Sequence, residues 1–177
     1  MRLLITRPAA NAATLAEKLA AQGHDVLISP VIDIYPTDTL LPDNCEAFGA
    51  LALTSANGVH AVAAKLPADP GLRQAWQALP AFAVGPQTAA TLKAYGWSAI
   101  YEAGGDVETL AALIIGEMPV TKKPVLHVAG RDRAGDLAAA LSAHNIECRL
   151  IMPLKRWKFS PVDKQGQILW DKYTHYK

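Results

Sequence analysis

The sequence feature that most constrains the fold is an alternation of short β-rich runs with Ala-rich stretches, which continues from the first residue to about Leu150. This alternation is typical of βα units stacked on a mainly parallel sheet. It predicts a doubly wound α/β fold. The predicted strands, with helices between them, cover residues 2–6, 25–29, 50–53, 81–84, 98–101, 124–128 and 146–150.

A domain boundary is predicted near residue 36. An extended apolar piece runs from Pro30 to Pro36 and gives way to polar residues, which is typical of a crossing between domains. We therefore assign residues 1–36 to a βαβ-like piece of a first domain and residues 37–150 to a second, complete α/β domain.

The predicted helices of the second domain begin at recognisable capping residues. Ser55 precedes one helix, and Pro86 lies in the first turn of the next. Asp106, with Thr109 behind it, precedes a third. The predicted helix starts therefore agree with the predicted strand ends.

The composition changes sharply near the end of the chain. All thirty-two alanines lie within the first 143 residues, and none occurs between His144 and Lys177. Residues 151–177 contain six Lys or Arg against two Asp, together with five aromatic residues. We interpret this segment as a divergent basic, aromatic tail. An ordinary solvated C-terminus and a junction with foreign sequence are both open explanations of it.

Bulk composition argues against several classes of function. Hydrophobic residues make up 51% of the chain, enough for a sizeable core, while the net charge is only +1. The balanced charge argues against nucleic-acid binding, and no stretch approaches the ~20 apolar residues of a membrane span. The first residues lack a signal-peptide pattern, and Cys45 and Cys148 are too few for a disulfide framework. We expect a soluble cytoplasmic protein without nucleic-acid or membrane partners.

Five loops that follow predicted strands are rich in small and hydroxyl-bearing residues. In open α/β sheets, ligands bind at the carboxyl ends of the strands, where helix N-termini favour anions. Hydroxyls and backbone N–H groups in such loops suit carboxylate or phosphate oxygens, so the loops predict an anionic ligand. They cover residues 6–8, 53–58, 84–89, 103–106 and 128–132.

Each loop also has an explanation that needs no ligand, because Gly often ends strands and Ser or Thr often caps helices. Arg7 and Arg131 are suited to clamp carboxylates, and equally suited to pair with neighbouring Asp residues on the surface. The residues alone leave these alternatives open.

Other chemistries lack their sequence signals. There is no P-loop and no dinucleotide-binding Gly pattern after the first strand, so nucleotide sites are not predicted. The five histidines are scattered without metal-ligand spacing, and His127 lies in an apolar run typical of a core imidazole, so no metal is assigned. Ser55 lacks a nucleophile elbow and Cys45 lies in a predicted linker, so covalent catalysis is not predicted.

Taken in their order along the chain, the loop segments resemble the uroporphyrinogen-III synthase family. The resemblance covers about residues 2 to 150. It rests on Leu4-Ile-Thr-Arg-Pro8, Leu53-Thr-Ser-Ala-Asn-Gly-Val59, Ala83-Val-Gly-Pro-Gln-Thr-Ala89, Gly104-Gly-Asp106 followed by Leu110, and Val128-Ala-Gly-Arg-Asp132.

The resemblance implies two α/β domains, the first of them discontinuous, with the substrate in the cleft between them. It implies a lyase of tetrapyrrole and haem biosynthesis that closes hydroxymethylbilane to uroporphyrinogen III. The reaction inverts the last pyrrole ring and releases water, without a metal or cofactor. This substrate is a polycarboxylate, which fits the anionic ligand expected from the loops. The resemblance also suggests hand-over of the substrate from the enzyme that makes it.

Carried over residue by residue, the resemblance makes Thr88 the candidate for hydrogen bonding the substrate and for a catalytic role, and no other catalytic group is assigned. Positioning and electrostatics are expected to dominate the chemistry. The predicted substrate-binding residues are Arg7, Thr54, Ser55, Gly85, Thr88, Gly105, Gly130 and Arg131.

Two features depart from the family pattern. Lys155 stands where the family usually has a Tyr, so a favoured proton donor is missing. The later elements of the first domain are not recognised, and a fragment the size of residues 1–35 buries too little apolar area to be stable alone. We expect a folded second domain and a poorly supported first. The alternative to a working synthase is a truncated inactive fragment, or a non-catalytic module that binds anions or tetrapyrroles.

Overall fold

The chain divides into two compact units. One contains Met1–Tyr35 together with the chain from Arg156, and the other contains Pro36–Lys155. The computed structural model describes residues 1–31, 33–118, 123–130 and 135–158.

The first unit is built from a parallel strand pair and one helix, followed by a further strand. In chain order these are β1 (Arg2–Ile5), α1 (Ala9–Ala21), β2 (Asp25–Ile28) and β3 (Asp33–Pro36). Side chains alternate between the faces of β1, so that Ile5 is buried while Leu4 is exposed. Leu4 is the register partner of Leu27, which is also exposed. One face of this strand pair therefore carries exposed apolar side chains.

The second unit is centred on a five-stranded parallel sheet. Its strand order is β6-β5-β4-β7-β8. All residues of the central strands β4 and β7 are buried, as expected for parallel strands covered on both faces. The strands are β4 (Ala50–Leu53), β5 (Ala81–Ala83), β6 (Ile100–Glu102), β7 (Val125–Val128) and β8 (Cys148–Ile151).

Five helices cover the two faces of this sheet. A short 3-10 helix, Cys45–Ala47, precedes β4. The helices are α2 (Ala56–Ala63), α3 (Pro70–Ala78), α4 (Pro86–Ala94), α5 (Val107–Glu117) and α6 (Leu137–Ser142).

The core of the second unit forms two apolar clusters, one on each face of the sheet. On one face, Leu51 and Leu53 of β4 pack with side chains from α2, α3 and α4, including the buried Trp76. On the other face, Phe82 of β5 packs with side chains from α5 and α6, including Leu110. The arrangement is three layers, helices on both sides of one parallel sheet, and it confirms the predicted doubly wound α/β fold.

A second two-stranded sheet pairs β3 with β9 (Leu154–Lys158). Close to this pair, the Thr37 hydroxyl donates to the Met152 carbonyl at 2.9 Å, and the Thr37 N–H donates to the Pro153 carbonyl at 2.8 Å. β9 begins inside the segment that its composition assigned to a tail. Residues 159–177 of that tail lie outside the described residues.

The predicted strands agree with those of the structure to within two residues at each end, and β4 has its predicted bounds. Among the described residues, none of the helices combines the length and apolar character that crossing a membrane requires.

Candidate functional site

Four loops of the second unit meet along one edge of its sheet. Because β4, β5, β6 and β7 are parallel, their carboxyl ends lie on the same side. The strand order reverses between β4 and β7, which are neighbours although β5 and β6 lie between them in the chain. Ligands of open α/β sheets bind at such a reversal. This edge is the place where the fold favours a ligand, and we refer to it as the carboxyl edge.

The β4 and β7 loops approach closely at this reversal. Ser55 follows β4 and caps α2, where its hydroxyl accepts a hydrogen bond from the Gly58 N–H at 3.1 Å. A Cβ added at Gly58 would lie 3.5 Å from Val128 Cγ1 and 3.6 Å from the Val128 carbonyl oxygen. The first turn of α2 therefore packs directly against the end of β7.

Helix α5 begins at the carboxyl edge with a charged cap. The Asp106 carboxylate accepts hydrogen bonds from the Thr109 N–H at 2.7 Å and from the Thr109 hydroxyl at 2.6 Å. These two bonds, the hydroxyl bond first, lower the pKa of Asp106 below its ordinary value. The N-terminus of α5 is thus already occupied by an anion of the chain itself.

Helix α4 differs from α2 and α5 because no side chain caps it. Its N-cap is Gly85, and Pro86 follows in the first turn without an N–H to donate. The first helical hydrogen bond runs from the Ala89 N–H to the Gly85 carbonyl at 3.0 Å. The N–H groups of Gln87 and Thr88 have no acceptor among the described residues.

Thr88 lies in this first turn and is 4% exposed. Within the described part of the chain, no hydrogen bond involves its side chain. Among the described residues, the fully buried side-chain polar atoms that lack a partner do not include the Thr88 hydroxyl, so solvent reaches this hydroxyl. Beside an uncapped helix N-terminus it is available to a ligand oxygen.

Backbone hydrogen bonds hold the loops after β5 and β6 against the ends of the neighbouring strands. The Val84 N–H donates to the Leu53 carbonyl at 3.0 Å, and the Ala103 N–H donates to the Ala83 carbonyl at 2.9 Å. Beyond these bonds, a Cβ added at Gly85 would lie 3.6 Å from the Cα of Gly105. The absence of a side chain at these positions leaves the backbone open to a ligand.

Six of the eight predicted substrate-binding residues lie at the carboxyl edge. These are Thr54, Ser55, Gly85, Thr88, Gly105 and Gly130. Arg7 lies in the first unit, after β1, and is exposed. Arg131 lies outside the described residues. Lys155 belongs to β9 and not to this edge.

The sequence placed Asp106 in one of the five loops and, with Thr109, at a helix start, but named neither as a substrate-binding residue. The structure places Asp106 directly after Gly105, and Thr109, in the first turn of α5, packs against Gly104. The signal that identifies their partnership is the capping pattern of an Asp followed three residues later by a hydrogen-bonding residue.

Apart from the Asp106 carboxylate, which is engaged by Thr109, the chemistry offered by this edge is neutral hydrogen-bond donation. Hydroxyls and backbone N–H groups bind carboxylates well and do not supply a strong acid or base. Among the described residues, no group of three or more His, Cys, Asp or Glu side chains is placed to hold a metal ion.

Comparison with known proteins gives a consistent set of similarities. A family model described as Uroporphyrinogen-III synthase HemD matches residues 13–165. Over 107 residues the sequence is 36% identical to a protein named uroporphyrinogen-III synthase from Synechococcus elongatus. That match covers 56% of this chain and 39% of the relative, so it extends over less than half of the relative's length.

The fold is similar to two solved structures. The crystal structure of uroporphyrinogen-III synthetase from Helicobacter pylori matches with a TM-score of 0.60 at 20% identity, covering 94% of this chain and 66% of that one. A mutant uroporphyrinogen III synthase from the extremely thermophilic bacterium Thermus thermophilus matches with a TM-score of 0.56 at 21% identity, covering 91% and 64%. The chain therefore spans about two thirds of the length of these proteins.

Proposed function

Because the chain belongs to the uroporphyrinogen-III synthase family, we propose that it binds hydroxymethylbilane at the carboxyl edge and closes it to uroporphyrinogen III. In this reaction the hydroxyl of the substrate's hydroxymethyl group leaves as water. The carbon that carried it bonds to the substituted carbon of the last pyrrole ring, and the bond from that ring carbon to its existing methylene bridge then breaks. The released methylene bonds instead to the free α carbon of the same ring, which loses its proton, so the ring ends up inverted and the net loss is one water.

The observation that carries the proposal is the first turn of α4. The positive end of the helix dipole is uncapped there, and the unbonded hydroxyl of Thr88 lies beside it. A substrate carboxylate can take the N–H groups of Gln87 and Thr88 without displacing a side chain. The capped N-terminus of α5, where the Asp106 carboxylate already sits, offers no such place.

The neighbouring loops extend this donor surface. Thr54 and Ser55 follow β4, and Gly130 follows β7, so further carboxylates of the same ligand find donors along the edge. Arg7 and Arg131 remain proposed clamps for carboxylates. The protein's contribution is to hold the linear tetrapyrrole in the folded conformation that leads to ring inversion, so positioning and electrostatics supply the rate.

Two further points belong to this proposal. The reaction is proposed to run in the cytoplasm, since the balanced composition and the two scattered cysteines suit a reducing compartment. Direct hand-over from the enzyme that makes hydroxymethylbilane is proposed because the unguided ring closure competes with the enzymatic one.

The experiment is conversion of freshly prepared hydroxymethylbilane by the purified full chain, with separation of the type I and type III isomers after oxidation. Heat-unfolded protein at the same concentration is the control. The proposal expects type III product in excess over the control. Type I product alone contradicts the proposed reaction.

If only type I product forms, a second measurement tests whether the chain binds the polycarboxylate uroporphyrin III. Binding then identifies a non-catalytic binding module, and no binding identifies an inactive chain.

A further inference from the structure

The Asp106–Thr109 pair lies next to the proposed anion site without being part of it. We propose that Asp106 is a positioning residue, whose bonds to Thr109 hold the Gly104–Gly105 turn against the uncapped start of α4. This inference rests on the proposed function, because it concerns binding at the same edge.

The pair is tightly connected within one turn of α5. The Asp106 carboxylate accepts from both the N–H and the hydroxyl of Thr109, and the hydroxyl also lies 3.2 Å from the Asp106 carbonyl oxygen. These bonds fix the side chain of Thr109 in one orientation.

The fixed Thr109 side chain lies directly against the preceding turn. A Cβ added at Gly104 would lie 3.3 Å from Thr109 Cγ2 and 3.4 Å from its Oγ1, so the Gly104 backbone is packed on this side chain. Gly105 follows with φ +113°, a conformation that L side chains rarely adopt. Contact with Thr109 and the positive φ of Gly105 therefore restrict the Gly104–Gly105 turn to one position.

The Gly104–Gly105 turn also lies next to Gly85, the N-cap of α4. Gly105 is the nearest neighbour of Gly85 on the side where a Cβ would project, at 3.6 Å. At its other end, the turn is anchored by the bond from the Ala103 N–H to the Ala83 carbonyl. Movement of Gly105 therefore changes the shape of the space in front of the Gln87 and Thr88 N–H groups.

Charge and position predict opposite effects of removing Asp106. As a charge, the exposed carboxylate repels a polycarboxylate ligand, so its removal would tighten binding. As a positioning residue, it preorganises the turn, so its removal weakens binding. The sign of the change in affinity therefore separates the two roles.

The test measures the dissociation constant of the full chain for uroporphyrin III, together with the melting temperature. The variants are Asp106→Ala, Asp106→Asn and the control Asp69→Ala. Asp69 caps α3 in the same way, accepting from the Leu72 N–H at 2.8 Å, and lies outside the carboxyl edge. Both alanine variants lose one carboxylate cap, so each is expected to lower the melting temperature by about 2 to 4 °C.

We expect Asp106→Ala to weaken uroporphyrin III binding about fivefold despite the lost repulsion. Asp106→Asn keeps an acceptor for the two Thr109 bonds and restores binding to the wild-type level or better. Asp69→Ala leaves binding within about twofold, since a lost cap elsewhere affects stability only.

Two results overturn the inference. Tighter or unchanged binding by Asp106→Ala, with a wild-type chain that binds the probe, removes the positioning role and leaves the proposed function intact. A wild-type chain that does not bind uroporphyrin III overturns the proposed function and this inference with it.

Discussion

Gly85 and Gly105 belong to loops on adjacent strands, and a Cβ added at Gly85 would stand 3.6 Å from the Cα of Gly105. The two glycines differ in backbone conformation. Gly85 is extended, with φ −176°, whereas Gly105 has φ +113°. Glycine at position 85 keeps the backbone accessible. Glycine at position 105 does the same and also permits the positive φ.

Alanine at these two positions is predicted to separate the two requirements. Gly85→Ala fits without strain and is expected to change the free energy of unfolding by no more than about 0.5 kcal/mol. Gly105→Ala must adopt a disfavoured φ and is expected to cost about 1 to 3 kcal/mol. Chemical denaturation of both variants checks this order, and equal losses would contradict it.

Phe82 is predicted to be a main contributor to the stability of the second unit. It is 1% exposed and stacks on Tyr101 with ring centroids 4.8 Å apart. Phe82→Ala removes this ring from the core and is expected to cost about 3 to 5 kcal/mol, whereas Phe82→Leu fills part of the space and costs less. The measurement is denaturant unfolding of both variants. A loss below about 1 kcal/mol for Phe82→Ala would contradict the packing of Phe82 in the core.

The cap of α5 is predicted to make stability depend on acidity. Hydrogen bonds from Thr109 lower the pKa of Asp106 in the folded chain. A group with a lowered folded pKa stabilises the fold fully above its unfolded pKa and loses that contribution as the pH falls through the folded pKa. Between neutral pH and about pH 2 to 3, wild type is therefore expected to lose more stability than Asp106→Asn, whose cap does not titrate. Equal loss of stability by the two proteins over this pH range would contradict the stabilising role of the Asp106 carboxylate.

Local sequence signals predicted much of the fold and part of the site. Apolar runs located the buried strands, because a parallel strand covered on both faces has to be apolar throughout. Ser55 and Asp106 were recognisable as caps because capping depends on residues only three positions apart. The loop residues at the carboxyl edge followed from the strand ends alone.

Contacts between distant parts of the chain could not be predicted in the same way. The pairing of β9 with β3 joins segments that lie more than a hundred residues apart in the chain. The sequence of β9 is also atypical of a strand, because it contains basic and aromatic residues. The approach of Gly105 to Gly85 depends on which strands become neighbours, and the sequence pattern does not state that order. For the same reason, Asp106 was predicted as a cap in the loop of residues 103–106 without the link from its turn to Gly85.

Thr88 is the side chain on which the proposed chemistry depends most directly. The most direct measurement is the initial rate of type III uroporphyrinogen formation by wild type, Thr88→Val and Thr88→Ser, each with its melting temperature. Valine has a similar shape but lacks the hydroxyl, while serine keeps it.

If the uncapped turn of α4 and its hydroxyl hold the reacting tetrapyrrole, wild type forms the type III isomer and Thr88→Val loses about tenfold or more in rate at unchanged stability. Thr88→Ser then retains most of the activity. Type III formation by Thr88→Val at the wild-type rate, or type I product alone from the wild-type chain, would contradict the account.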